Sequence, residues 1–298
     1  MTQPANFNPA TVAPTKSHFG FAVRSGSVAV AFLLLAAFGV RPATAACGKQ
    51  FVDVGGYRLW VQVAGQGEPT VVFESGGGDD SAVWSKIEPE IRRQANVRTL
   101  VYDRAGLGKS DFNPAPYQID AESAALQRVL QQCKIRGPLI LIAHSYGGFV
   151  STLVASEDKQ VKGMVLVDAN LASFFDEKEI AILLARYSPQ ESGLQRARPD
   201  LARVLIPILH AYPATAERVR KVNLSKTLPI IDITAEHTWV DSPEEVAAIR
   251  QAHASFVAAS PQRTAVFAAG SSHYVMRDRP EIVTDAILRM VEQVRAKK

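Results

Sequence analysis

The sequence predicts an α/β fold: a mostly parallel central sheet with helices on both faces and a helical lid inserted at about 170–226. Three observations predict it. From residue 51 onward, short β-branched and apolar runs alternate with stretches of helical spacing. The run "PLILIAH" (138–144) is wholly apolar, as expected of a parallel strand covered on both faces. Over 170–226 the alternation fails, and helical patterns follow one another with no clear strand between them. The chain has 298 residues, 47% of them hydrophobic, enough for one large core.

The first 45 residues stand outside this pattern. Lys16 and Arg24 precede the apolar run "SVAVAFLLLAAFGV" (27–40), and "RPATAAC" (41–47) follows with Ala43 and Ala45 in the small-residue positions of a signal-peptidase site. Residues 1–45 therefore read as a secretory signal peptide with cleavage near Ala45–Ala46, and 46–298 as the folded domain of an exported, periplasmic or secreted, protein. The apolar run falls short of the roughly 20 residues a spanning helix needs, so an N-terminal membrane anchor is the weaker alternative. Lipid attachment at Cys47 is weaker still, because Thr44 stands where such sites usually carry Leu. Loss of the leader removes Lys16, Arg24 and Arg41 and leaves 30 basic against 29 acidic residues. That balance gives no reason to expect nucleic acid as a partner. Export permits a disulfide between Cys47 and Cys133, but two cysteines so far apart do not establish one.

The elements follow in order. "FVDV" and "YRLWVQV" flank Gly55 and Gly56 and read as a hairpin. "TVVFE" (70–74) is a strand ending at "SGGGDDS" (75–81), and "AVWSKIEPEIRRQ" then reads as a helix. "VRTLVYD" (97–103) is a strand ending in "RAGLGKS", and "AESAALQRVLQQC" (121–133) has helical spacing. After 138–144 come a helix from about 146 and the strand "KGMVLVDA" (162–169). Beyond the insertion lie the strand "LPIIDITA" (228–235), a helix over 242–259, the strand "RTAVFAAG" (263–270) and a closing helix from about Pro280.

Three stretches carry chemistry. In "LIAHSYGGFV" (140–149), Ser145 lies between an apolar strand and a helix. A tight turn there pushes the hydroxyl out of the sheet at a helix N-terminus, and it needs small residues two before and two after. Ala143 and Gly147 meet that need, although an N-cap serine is the bland alternative. In "FESGGGDDS", three glycines directly after a strand free backbone N–H groups to face a ligand. A tetrahedral intermediate needs two such donors; Gly77, with Gly76 as the near miss, and Tyr146 are the candidates. In "GSSHYVMRDRP" (270–280), His273 follows the last strand, where a base can approach Ser145 from the same sheet edge. His18 lies in the leader, His144 is expected to point away from Ser145, His210 falls in the insertion and His253 in a helix; His237 is the other loop histidine.

Two decoys are set aside. "DRAGLGKS" (103–110) resembles a phosphate loop, but Asp103 replaces the first glycine. No His, Cys or carboxylate spacing suggests a metal site, and no cofactor is implied.

Taken together, "SGGG" after the third strand, "YDRAGLGKS" after the fourth, "AHSYGG" at the turn and "SSHYVMRDRPEIV" near the end resemble the α/β-hydrolase superfamily over about 52–297. The resemblance implies Ser145 as nucleophile, His273 as base, Gly77 and Tyr146 as oxyanion donors, and a structural turn for Asp103 and Arg104. In many members the acid follows the next-to-last strand. Here that place reads Ala235-Glu236-His237-Thr238, without an aspartate. Asp168, one strand earlier, is the preferred acid, with Asp241 and Glu236 as alternatives.

A serine with a histidine base gives acyl transfer to water through an acyl-enzyme. The expected activity is that of an exported serine hydrolase cleaving carboxylic esters of a small-molecule substrate. Amides, lactones, C–C bonds and perhydrolysis stay open, and a non-catalytic small-molecule binder is the rival class. In the insertion, "AILLA" and "VLIPIL" suit an apolar acyl group; Arg186, Arg196, Arg198 and Arg203 could meet an anionic substrate, but the preferred reading is solvated surface cations.

Overall fold

A computed structural model describes residues 47–297. The proposed leader and its cleavage point lie outside them. The eight strands are β1 (Lys49–Asp53), β2 (Arg58–Ala64), β3 (Thr70–Glu74), β4 (Arg98–Tyr102), β5 (Leu139–His144), β6 (Val161–Val167), β7 (Ile230–His237) and β8 (Arg263–Ser272). They form one sheet in the order β1-β2-β4-β3-β5-β6-β7-β8. Strand β2 is antiparallel to both its neighbours, β1 and β4, whereas β4, β3, β5, β6, β7 and β8 run parallel to one another.

The central strands β3 and β5 are buried along their whole length because helices cover both faces of the sheet there. Along β5, Leu139, Leu141 and Ala143 enter one buried cluster, while Ile140 and Ile142 enter the other. On the first face pack α2 (Ile119–Gln132), through Leu126 and Val129, and α3 (Gly147–Glu157), through Val154. On the second pack α1 (Glu88–Ala95), through Ile91, and α9 (Pro280–Ala296), through Val283, Ile287 and Met290. Cys47 and Cys133 form a disulfide, which ties the start of the described chain to the end of α2.

Between β6 and β7 the chain makes α4 (Glu177–Tyr187), α5 (Glu191–Ala197) and α6 (Pro199–Arg220). Asp176 caps α4 by accepting from the Glu179 N–H at 2.9 Å. These helices share a third apolar cluster with α3, in which Phe149 and Leu153 meet Phe175, Leu183 and Ile208. Helix α7 (Pro243–Ala258) starts where Ser242 accepts from the Glu245 N–H, with Pro243 in its first turn. A four-residue helix, α8 (Val275–Asp278), precedes α9.

Two elements differ from the sequence expectation. The stretch expected as one helix at 82–94 divides into a 3-10 turn, Ser81–Trp84, and α1, which begins beside Pro89. Pro89 lacks an amide hydrogen to donate back to residue 85, so it suits a helix start rather than an interior. Strand β8 continues past the predicted end at Gly270, which takes φ +74°, and the β7–β8 register shifts between Ala235 and His237. That shift carries Ser272 to the edge where the site lies. No helix among the described residues is long and apolar enough to cross a membrane.

Candidate active site

The site assembles at the C-terminal edge of the parallel strands, where open α/β sheets bind ligands. Ser145 follows β5 directly and takes φ +51°, the left-handed region that a side chain enters at a cost. Three backbone bonds hold it there. Its N–H donates to Val167 O at 3.3 Å, and its carbonyl accepts from the N–H groups of Gly148 at 2.9 Å and Asn170 at 2.8 Å. A Cβ on Gly147 would lie 2.7 Å from Ser75 O, and one on Gly148 would lie 2.8 Å from Asn170 O. Backbone therefore crowds both glycines, which explains "SYGG" better than a helix N-cap does.

His273 follows β8, and its Nδ1–H donates to Asp168 Oδ2 at 2.6 Å. Asp168 directly follows β6 at φ +42° and is 4% exposed. Its Oδ1 accepts from the Ala235 N–H at 3.0 Å, and its Oδ2 also accepts from the Thr238 hydroxyl at 2.8 Å. Burial pushes the Asp168 carboxyl up. The bond from His273 and its charge, with the Ala235 and Thr238 bonds, outweigh burial and hold it below the usual carboxylate range. The two alternative acids lie elsewhere: Asp241 is exposed, and Glu236 accepts from the Gly270 N–H.

Ser145, His273, Gly77 and Tyr146 all line one cavity of about 760 Å³. A Cβ on Gly77 would lie 3.6 Å from Tyr146 Cβ, so the two candidate donors are neighbours. Neither of their N–H groups is used in the turn, loop and cap hydrogen bonds among the described residues. Gly76 is not in the lining, and a Cβ there would meet Asp79 and His144 at 2.8 Å. The Tyr146 side chain points into the third cluster; burial pushes its phenol up to about 12, against the opposing bond with Tyr117.

The insertion supplies the opposite wall of the cavity, through Leu183, Leu205, Ile208, Leu209 and Tyr212, with Trp239 beside them. Gln190, Glu191, Ser192 and Arg196 stand at its polar rim. Of the four arginines singled out in the sequence, only Arg196 lines the cavity. Arg186 pairs with Glu245 at 2.6 Å, and Arg203 lies 3.7 Å over the Phe112 ring.

Three residues matter here that the sequence reading undervalued. Thr238 occupies the vacant acid position and donates to Asp168 instead. His144 stays out of the lining that holds Ser145, as expected, but packs with its ring 4.6 Å from that of His273 and donates from Nε2 to His273 O at 3.1 Å. Burial, with repulsion from His273, pushes His144 down to about 3, so it is neutral at ordinary pH. Arg104, expected to serve only a turn, reaches into the glycine loop and donates to the carbonyls of Ser75 and Gly76. The turn itself is real: the Asp103 carboxylate accepts from Ser81 N–H at 2.9 Å and Lys109 N–H at 3.0 Å.

Two of the remaining histidines make side-chain pairs away from the cavity floor. His253 of α7 pairs with Asp232 of β7 at 2.8 Å, His210 with Glu191 at 2.7 Å in the insertion, and His237 is exposed. His18 lies outside the described residues. Among the described residues, no group of His, Cys, Asp or Glu is arranged to hold a metal.

The profile of the Alpha/beta hydrolase family matches residues 71–286. An uncharacterized protein of Bacillus subtilis (strain 168), YqjL, is 29% identical over 225 residues, covering 73% of this chain and 81% of that protein. Among solved structures, an AqdC variant that recognises and cleaves the ring of the Pseudomonas quinolone signal aligns with TM-score 0.64 at 19% identity, over 82% of this chain and 99% of that one. The enol-lactonase from Burkholderia xenovorans LB400 aligns with TM-score 0.55 at 17% identity, over 82% and 100%. The profile match, the eight-stranded sheet and the residues gathered at its edge agree, and the chain belongs to the Alpha/beta hydrolase family.

Proposed function

We propose that this protein is a serine hydrolase that cleaves carboxylic esters with a neutral, apolar acyl group. The observation that carries the reading is the floor of the cavity, where Ser145 sits on a strained turn beside a histidine paired with a buried carboxylate. Ser145 Oγ attacks the ester carbonyl while His273 Nε2 takes its proton. Asp168 holds the Nδ1–H tautomer and stabilises the imidazolium. The Gly77 and Tyr146 N–H groups receive the developing oxyanion. Collapse of the tetrahedral intermediate expels the alcohol, which takes the proton back from His273. Water, activated by the same histidine, then attacks the acyl-enzyme and releases the acid.

The lining supports the acyl preference. Leucine, isoleucine and aromatic side chains face Ser145, and charged groups stand only at the rim. The enol-lactonase is a structural neighbour with ester chemistry. A series of p-nitrophenyl esters from acetyl to dodecanoyl tests the reading. It expects kcat/KM to rise from acetyl into the medium chains, and Ser145→Ala to hydrolyse none of them. A preference for acetyl or succinyl esters would contradict the apolar site, and an active Ser145→Ala protein would contradict the mechanism.

We further propose export with removal of residues 1–45. The cationic leader, the short apolar run and the Cys47–Cys133 disulfide support it. Intact-mass measurement of the mature protein should give a chain beginning near Ala46; a chain retaining Met1 would contradict cleavage.

A further inference from the structure

Arg104 is 3% exposed, and its guanidinium lies behind the glycine loop. Nη1 donates to Glu74 Oε1 at 2.6 Å and to Ser75 O at 2.6 Å. Nη2 donates to Gly76 O and, at 3.1 Å, to Gly77 O. One side chain thus engages three consecutive carbonyls. Glu74, 1% exposed, supplies the countercharge and accepts from the Tyr102 hydroxyl through its other oxygen.

In a trans peptide the C=O and N–H point in opposite directions. Drawing the carbonyls of Ser75, Gly76 and Gly77 onto Arg104 turns the N–H groups of Gly76, Gly77 and Gly78 the other way. The Gly77 N–H belongs to the same peptide unit as the Gly76 carbonyl. A charged donor on that carbonyl draws electron density from the amide and makes its N–H a stronger donor. The guanidinium also lies 5.9 Å from the ring of Tyr146, whose N–H is the other proposed donor.

We infer that Arg104 is a positioning residue for the oxyanion site: it orients and polarises the Gly76–Gly77 peptide so that the Gly77 N–H meets the oxyanion. This rests on the esterase reading. Arg104 does not line the cavity, and its hydrogen bonds go to Glu74 and the glycine loop, so its effect appears where negative charge develops, in kcat rather than KM.

Removing Arg104 alone leaves Glu74 buried and unpaired, which is strongly destabilising. The informative variants are therefore the double substitution Glu74→Met/Arg104→Met, which removes both charges, and Arg104→Lys, which keeps the charge but cannot fork across three carbonyls. The assay is p-nitrophenyl butyrate hydrolysis, with thermal unfolding and trifluoromethyl ketone inhibition measured on each protein. The double variant should lose about 10- to 100-fold in kcat, with KM within about threefold. That is less than the roughly 10²–10³-fold seen on outright loss of an oxyanion donor. Arg104→Lys should fall between it and the wild type. Trifluoromethyl ketone affinity should weaken in step with kcat, because its tetrahedral adduct carries the oxyanion; a purely structural role would not give this correspondence. Should the double variant fail to fold, Arg104→Lys decides alone, with kcat reduced at unchanged thermal midpoint expected. A folded variant with wild-type kcat, or one that loses only KM, overturns the inference and leaves the esterase reading intact. A wild-type protein that hydrolyses no ester and binds no fluorophosphonate overturns both.

Discussion

Replacing Asp168 by Asn changes one oxygen into an NH2 group at a position where both oxygens are used. The carboxylate accepts from the Ala235 N–H through Oδ1, and from His273 and Thr238 through Oδ2. If the Asn oxygen faces His273, its NH2 faces the Ala235 N–H and two buried donors oppose each other, at about 1–3 kcal/mol. If the oxygen faces Ala235, the NH2 donates to His273 Nδ1 and Thr238 turns its hydroxyl to accept. The second arrangement is favoured, and it forces the imidazole proton onto Nε2, where it blocks proton uptake from Ser145. At RT of about 0.59 kcal/mol, a preference of about 1–3 kcal/mol leaves the competent orientation about 5- to 160-fold under-populated. Loss of the negative charge facing the imidazolium adds to this, and serine-protease triads show about 10⁴-fold for the same change. Asp168→Asn should therefore lose about 10²- to 10⁴-fold in kcat/KM on p-nitrophenyl butyrate while unfolding like the wild type. Asp241→Asn, at an exposed position away from His273, should stay within about twofold. An Asp168→Asn enzyme retaining more than about a tenth of wild-type activity would refute the reasoning.

Two further outcomes follow from buried groups. His144 is held neutral in the fold with its pKa down at about 3, against 6.5 when free, so the unfolded chain binds the extra proton between those values. Its contribution is complete above about 6.5 and is lost as pH falls, at up to about 1.4 kcal/mol per pH unit; urea midpoints should fall less between pH 6 and 4 in His144→Gln than in the wild type, and equal slopes would contradict this. Reduction of Cys47–Cys133, which closes a loop of 86-residue separation, should cost about 2–5 kcal/mol, read as a lower urea midpoint with reductant; superimposable curves with and without reductant would contradict it.

The alternation of strands and helices was legible because backbone periodicity is local. The Ser145 turn was legible for the same reason, since Ala143, Gly147 and Gly148 announce crowding within a few residues. Asp168 could be preferred over Asp241 because it directly ends an apolar strand, and a strand end fixes direction more tightly than a loop. What was hidden depends on side chains that travel. Arg104 reaches carbonyls 27 to 29 residues back in the chain. Thr238 carries no charge to advertise its bond to Asp168. The contact of His144 with His273 spans 129 residues and depends on how the loop after β8 lies over β5. The extension of β8 beyond Gly270 rests on a positive φ and a register shift that an apolar run does not encode.

The most direct test of the account is covalent. The mature wild-type protein and Ser145→Ala are each treated with a fluorophosphonate probe, and the adduct is located by peptide mass spectrometry. The account predicts stoichiometric phosphonylation of the wild type at Ser145, loss of esterase activity in proportion to labelling, and no adduct on Ser145→Ala. An unlabelled wild-type protein, or an adduct on a residue other than Ser145, would contradict it.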